Sequence, residues 1–269
     1  MKSVDGLHPL AALLRRYAFA YTAAHDFSVC KEIMVDDYLL RMGEFEIRGR
    51  DDQYIPATQR QYRQYPGLGF TVHELVLGED RAALHFTEHG WSALHGGYAS
   101  WQGVSLYRWD GKRLRECRVE QDYHGRRTQQ RRGEAYPVRP AGLDPWTGRP
   151  AAPDTDAETI ARRWLTGGGV LDAPVGSLDD EHDAAPQRVM LNAPRTRVLS
   201  LFTAGERVAF HVVVQGSYAG GLDECDRLLD RPASLYVSGL LTVRDGVVSE
   251  VRAITDRLAA ERRLTAGAS

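Results

Sequence analysis

Only three cysteines occur in 269 residues, Cys30, Cys117 and Cys225, odd in number and scattered. That usage excludes a disulfide framework and a cysteine zinc site, and it reads as reduced thiols in a reducing compartment. Long apolar runs are missing as well. No stretch approaches the roughly 18–20 apolar residues that cross a bilayer as a helix. The opening Met1-Lys-Ser-Val-Asp-Gly6 lacks the apolar centre of a secretion signal. The expectation is a cytoplasmic protein with no membrane partner. Charge of one sign is missing too. With 34 Lys+Arg against 36 Asp+Glu the net charge is −2, so the chain carries no overall electrostatic footprint for nucleic acid. Arg126-Arg127, Arg131-Arg132 and Arg262-Arg263 read as solvated faces. No glycine-rich phosphate loop follows a strand, Gly167-Gly168-Gly169 lacks the lysine and hydroxyl partners of such a loop, and no serine elbow occurs. Nothing implies a nucleotide or flavin, and no cofactor is expected.

What the chain does have is a repeat. Arg81-Ala-Ala-Leu-His85-Phe-Thr-Glu-His89-Gly90 returns as Arg207-Val-Ala-Phe-His211-Val-Val-Val-Gln215-Gly216. Leu106-Tyr-Arg-Trp-Asp110-Gly111 returns as Leu241-Thr-Val-Arg-Asp245-Gly246, and Glu116-Cys-Arg118-Val-Glu-Gln-Asp122 as Glu250-Val-Arg252-Ala-Ile-Thr-Asp256. Three blocks in one order mean a duplicated domain. The length suits two domains, each able to bury a core. Residues 1–132 read as the first, 133–153 as a Pro/Gly-rich linker, and 154–269 as the second.

Helical spacing of Leu10, Leu13, Leu14, Tyr17 and Tyr21 predicts an amphipathic helix over 8–24. Asp26 is a plausible cap for a short second helix, and 51–64 reads as a polar third helix ended by Pro66-Gly67. Strand-like runs cover 37–42, 45–48, 69–77, 81–91, 98–109 and 113–124. The second copy shows a helix near 156–166 and strands near 195–204, 206–216, 233–244 and 247–257. Between Gly167 and Pro194 it has no match to the polar helix, and it carries an insertion over 218–232. The expectation is that the first copy holds the working pocket.

Helices followed by a run of antiparallel strands predict an α+β fold. Each domain should be a cone: a curved, mostly antiparallel sheet wrapped on helices, the two arranged as an internal pseudo-dimer. Over roughly residues 10–130 the first half resembles the SnoaL-like polyketide cyclases of the nuclear transport factor 2-like superfamily. The resemblance rests on Gly49-Arg50-Asp51, Pro66-Gly67, Gly78-Glu79-Asp80-Arg81, Trp109-Asp110-Gly111-Lys112, and Asp122 followed by Gln129. The second half resembles the same superfamily from about residue 195 onward. Epoxide hydrolases share this fold.

The resemblance implies acid/base chemistry on a small hydrophobic, polyketide-like metabolite, of cyclase or isomerase type. Two alternatives stand beside it: a non-catalytic tandem ligand-binding or assembly module, and an epoxide-opening enzyme with a paired Asp-Arg-Asp arrangement and a bound water. In such cyclases an aspartate on the last strand is the general acid/base, and Asp122 matches it in position. A carboxyl inside an apolar cone is a usable proton shuttle near neutral pH. His85 is the expected polar companion, because duplication placed His85 and His211 at one strand position. Tyr21, Tyr38, His89, Glu120 and Trp101 are candidates to line the substrate cavity, and Asp256 with His211 are the second-copy candidates. His85-Phe-Thr-Glu88-His89 spells an inverted zinc-protease motif, but that chemistry needs a helix. On a strand Glu88 would point away from both histidines, so no metal is expected. Domain pairing within the chain, and a homodimer as a possibility, are the expected protein contacts.

Overall fold

A computed structural model describes residues 6–171, 176–179, 188–222 and 225–266. The first helix, α1 (Pro9–Arg16), opens with proline in its first turn and with the His8 ring accepting from the Leu10 N–H. Leu10, Leu13 and Leu14 form its buried stripe. It runs on as a π-helical segment, Tyr17–Ala23, which turns Tyr17 and Tyr21 toward the domain interior. A short 3-10 turn capped by Asp26 leads into α2 (Cys30–Ile33). A second π turn, Arg50–Tyr54, follows Gly49 at φ 98° and precedes α3 (Ile55–Gln64). The Arg50 guanidinium locks this corner through Asp51, Asp36 and the Met34 carbonyl.

Six strands make the first sheet: β1 (Met34–Met42), β2 (Phe45–Arg48), β3 (Gly69–Leu77), β4 (Arg81–Ser92), β5 (Gly97–Trp109) and β6 (Leu114–Gln121). Their spatial order is β2-β1-β6-β5-β4-β3, antiparallel except where β1 meets β6. Strand alternation sorts the side chains. Ala82, Leu84 and Phe86 of β4, with Trp101 and Tyr107 of β5, pack on the helices. Ala83, Val104 and Leu106 face the other way, into a separate apolar cluster shared with the second domain.

The polar run after β6 is a helix, α4 (Tyr123–Arg132), not the strand end expected through residue 124. Asp122 caps it by accepting from the Gly125 N–H. Gln129 ties it down, accepting from the Ser100 N–H and donating to the Ser100 carbonyl. The proline-rich stretch beyond is packed along β3: Gly142 donates to Val72, Ala151 to Leu77, and Trp146 is buried.

The second domain repeats the plan with less. After α5 (Thr155–Thr166), capped by Asp154, come β7 (Gly176–Leu178), β8 (Met190–Ala204), β9 (Arg207–Gly220), β10 (Pro232–Arg244), β11 (Val247–Thr255) and α6 (Arg257–Ala266). The sheet order is β7-β11-β10-β9-β8. Among the described residues no helix stands where α3 stands in the first domain. Residues 172–175 and 180–187 of the glycine- and aspartate-rich stretch, and 223–224 of the insertion, lie outside the described residues. No helix among the described residues is long and apolar enough to cross a membrane.

The two sheets pack face to face, and the contacts come in reciprocal pairs. Arg81 at the head of β4 donates to the Leu201 carbonyl on β8, while its repeat partner Arg207 at the head of β9 pairs with Glu74 on β3. Helix α4 meets α6, where Arg127 binds Glu261. The duplicated blocks therefore build an internal pseudo-dimer. The seam is polar at its centre. Ser238 Oγ accepts from the Glu120 N–H and donates to the Val104 carbonyl. The Glu120 carboxyl touches His211 Nε2 at 2.8 Å and accepts from the Gly43 N–H. Burial pushes this carboxyl up to about 8 and the His211 imidazole down to about 3, so below pH 8 the contact is between neutral groups.

That burial has a measurable consequence. A carboxyl raised from 4.5 to about 8 in the folded state contributes stability that is complete at low pH and lost as pH rises through about 8. Melting temperature should fall from pH 6 to pH 9 in the parent protein. Glu120→Gln should flatten part of that fall, a relative gain of about 2–4 kcal/mol at pH 9. Equal pH slopes in the two proteins would remove the Glu120 account.

Candidate active site

The interior of the first cone is lined by aromatic rings. Tyr17 lies edge-on to Tyr21, Phe70 and Tyr107, and its hydroxyl meets that of Tyr54 at 3.2 Å. Tyr38 packs edge-on to Tyr54. Burial pushes the Tyr17, Tyr21, Tyr38, Tyr54 and Tyr107 phenols far above their ordinary value. At neutral pH they are hydroxyl donors, not phenolates. Burial also pushes the Cys117 thiol, which lies against Tyr107 and Tyr38, up to about 12.

Among the described residues one carboxyl enters this interior, and it is Glu88. Strand β4 presents it on the face that carries Leu84 and Phe86. Its Oε2 accepts from Gln61 Nε2 of α3 at 2.8 Å and from Trp101 Nε1 of β5 at 3.0 Å. Trp101 Nε1 is also 2.9 Å from Gln121 Oε1. The other oxygen, Oε1, makes no hydrogen bond to any described residue. It keeps accessible surface inside a residue that is only 6% exposed. Desolvation pushes the carboxyl up to about 7, opposed by Arg126 and the two hydrogen bonds. Glu88 lies near enough to Tyr17, Tyr62 and Tyr123 to raise all three. An acid poised near 7, with one oxygen held and one open, suits proton transfer.

Among the described residues the second domain has no counterpart at the repeat position. His85 stands opposite Val104 on β5, and His211 opposite Ser238 on β10. Three residues on, Glu88 faces Trp101, whereas Val214 faces Leu235. The second core is aliphatic at these positions.

The expected site residues divide between these places. Tyr21, Tyr38 and Trp101 line the first interior with Glu88. Asp122 does not. Its Oδ1 takes Arg257 Nη2 from the second domain at 2.6 Å as well as the Gly125 N–H, and Arg257 Nε reaches Asp179 at 3.3 Å. An Asp-Arg-Asp set is thus present, but it is assembled across the seam. Burial raises Asp179 to about 6. Asp122 and Gln102 border a cavity of ≈ 10 Å³ beneath the segment carrying Tyr136 and Arg139. His85 Nε2 pairs with that Gln102 at 2.7 Å, and burial, aided by Arg252 and His73, pushes its imidazole well down. Asp122 and His85 therefore approach one space, but it has room for a single water and no metabolite.

His89 lies beside Thr71 at 3.1 Å, outside the cone. Glu120, His211 and Asp256 belong to the seam. The Asp256 carboxyl is held by Arg263 at 2.7 Å and the Tyr236 N–H. On β4 the inverted zinc-protease residues split, Glu88 inward and both histidines outward, so they cannot grip one ion. Glu88 is the residue that positional reasoning passed over. The signal was available: alternation puts it opposite the two histidines, and its repeat partner is valine.

Comparison with known proteins bears on the first half. Residues 14–117 match the SnoaL-like domain family. No curated protein matches the chain. Among solved structures, a candidate SnoaL-like polyketide cyclase from Jannaschia sp. CCS1 aligns at 15% identity over 46% of this chain and 92% of that one, TM-score 0.42. IdmH from Streptomyces antibioticus, a candidate polyketide cyclase, aligns at 16% identity over 45% and 98%, TM-score 0.40. A protein of ketosteroid isomerase-like fold from Catenulispora acidiphila, in complex with trimethylamine, aligns at 12% identity over 44% and 91%, TM-score 0.40.

Proposed function

With residues 14–117 a SnoaL-like domain, we propose that the protein is a cofactor-independent acid/base enzyme of isomerase or cyclase type, acting on a flat, hydrophobic carbonyl metabolite. The chemistry belongs to the first domain, and Glu88 is its acid/base. The observation that carries this is the Glu88 carboxyl itself, raised to about 7 with Oε1 left open among neutral phenols. In the forward step Oε1 removes a proton from carbon next to a carbonyl, leaving an enolate. The proton returns to a different carbon in an isomerisation. In a ring closure the enolate carbon attacks a second carbonyl of the same molecule, and that oxygen takes the proton. Gln61 and Trp101 hold Oε2 still. Tyr21 and Tyr38 belong to the wall that excludes water.

The second domain serves as scaffold: it covers the outer face of the first sheet, a face that a free binding module would leave exposed. The test is exchange of the acidic C–H of 2-tetralone for deuterium, followed by NMR in D₂O. The parent protein should accelerate exchange at catalytic concentration, and Glu88→Gln should not. Exchange that survives in Glu88→Gln, or none in the parent, would count against the assignment.

A further inference from the structure

Beside Glu88 stands a cation with no acid against it. The Arg126 guanidinium of α4 lies 4.3 Å from the ring centre of Tyr123, 4.8 Å from Trp101 and 5.5 Å from Tyr65. The guanidinium makes no hydrogen bond to any described residue. Among the described residues no carboxylate lies within 4.0 Å of it, although two acids are near: it lowers Glu88 from a distance, and Tyr123 feels Arg126 together with Glu88 and Glu120. The neighbouring arginine, Arg127, has its acid in Glu261. Three rings supply cation–π attraction, but they accept none of the five N–H donors of a guanidinium. The cage leaves the guanidinium N–H donors unspent and half-buried, beside the same Trp101 that holds Glu88.

We propose that Arg126 is the anion receptor of this site: it binds an anionic oxygen of the ligand, a carboxylate or the enolate formed in the reaction, and sets the reacting carbon against Glu88. The inference rests on reading the Glu88 interior as the ligand site. A guanidinium pairs with oxygens lying in its own plane, and the three rings packed round it favour a ligand that is itself flat, an aromatic or conjugated acid or ketone. Protonated Glu88 tolerates an anion nearby and ionised Glu88 repels it. The other groups facing Glu88 are Gln61 and Tyr62 of α3, Tyr17 of the π segment, Trp101 of β5, and Tyr123 and Arg126 of α4. Arg126 is the one charged group among them at neutral pH.

Calorimetric titration with 2-naphthoate and with neutral 2-naphthamide tests this. The parent protein should bind naphthoate at least about tenfold more tightly, the scale of one charge-assisted hydrogen bond. Arg126→Gln should abolish the preference, and Arg126→Lys should restore part of it. The preference should weaken above about pH 7 in the parent and not in Glu88→Gln. The exchange assay on neutral 2-tetralone separates the two sources of the anion. A fall in kcat in Arg126→Gln without change in KM assigns the receptor to the enolate, and the naphthoate preference assigns it to a ligand carboxylate. Naphthoate bound through Arg126 without any exchange would sink the enzyme reading and leave the receptor standing. Equal binding of acid and amide, together with unchanged exchange kinetics in Arg126→Gln, would show Arg126 to be packing alone and overturn the proposal.

Discussion

Glu88→Gln should keep the fold and lower exchange of 2-tetralone by about 10²–10⁴-fold, the range that positioned proton transfer contributes. Glutamine has the shape of the acid, and its carbonyl oxygen can still accept from Gln61 and Trp101, which now share Oε2. It cannot take a proton. The fold should tolerate the change because burial already favours the neutral form of Glu88, raising it from 4.5 to about 7. The pH profile carries the assignment further. A base acts as carboxylate, so the parent rate should climb as pH rises through about 7 and level off above it. The Glu88→Gln variant should show only the slope of hydroxide catalysis. Trp101→Phe removes a hydrogen bond that favours the charged form, so it should move the midpoint of the climb upward. A profile centred near 4.5, or unmoved in Trp101→Phe, would place the base elsewhere.

The repeated blocks make β4 to β6, β9 to β11 and the pairing of the halves legible, because matching polar positions recur in register; β7 carries no such signal. What they could not reveal was which face of each strand looks inward. The usual cue is a polar face against an apolar one. Here both faces of the first sheet are buried, one under helices and one under the second domain, and β5 is covered from Ala99 to Tyr107. Asp122, on the outward parity of β6, thus looked as interior as any residue. Glu88, on the inward parity of β4, is masked by the flanking histidines, which make it part of a false zinc motif. Helix α4 was hidden for another reason. Tyr-His-Gly-Arg-Arg-Thr-Gln-Gln-Arg-Arg has no apolar stripe, and its anchor is Gln129 bonding to the Ser100 backbone. A side chain bonding to a distant strand leaves no period in the sequence.

The Asp-Arg-Asp set that the epoxide-opening reading required is explained better as a clamp, and Arg257→Met should expose that role. Arg257 is 2% exposed and holds Asp122 of the first domain and Asp179 of the second. Removing one partner of a buried ion pair leaves charge uncompensated and costs about 3–5 kcal/mol. The loss should depend on pH with a definite sign. Burial already raises Asp179 to about 6 while Arg257 opposes the rise. Without the guanidinium the Asp179 carboxyl shifts higher still, so the folded state holds a proton that the unfolded state releases. The variant's deficit should be largest at pH 8 and shrink toward pH 5, where Asp179 is neutral. Thermal melts at the two pH values measure it. Adding Asp122→Asn and Asp179→Asn to Arg257→Met should recover stability at pH 8, because no buried charge is then left alone. A deficit equal at pH 5 and pH 8 would mean that Arg257 acts through packing of its stem. Epoxide opening through this set would then regain ground only if cyclohexene oxide were hydrolysed by the parent protein and not by Asp122→Asn.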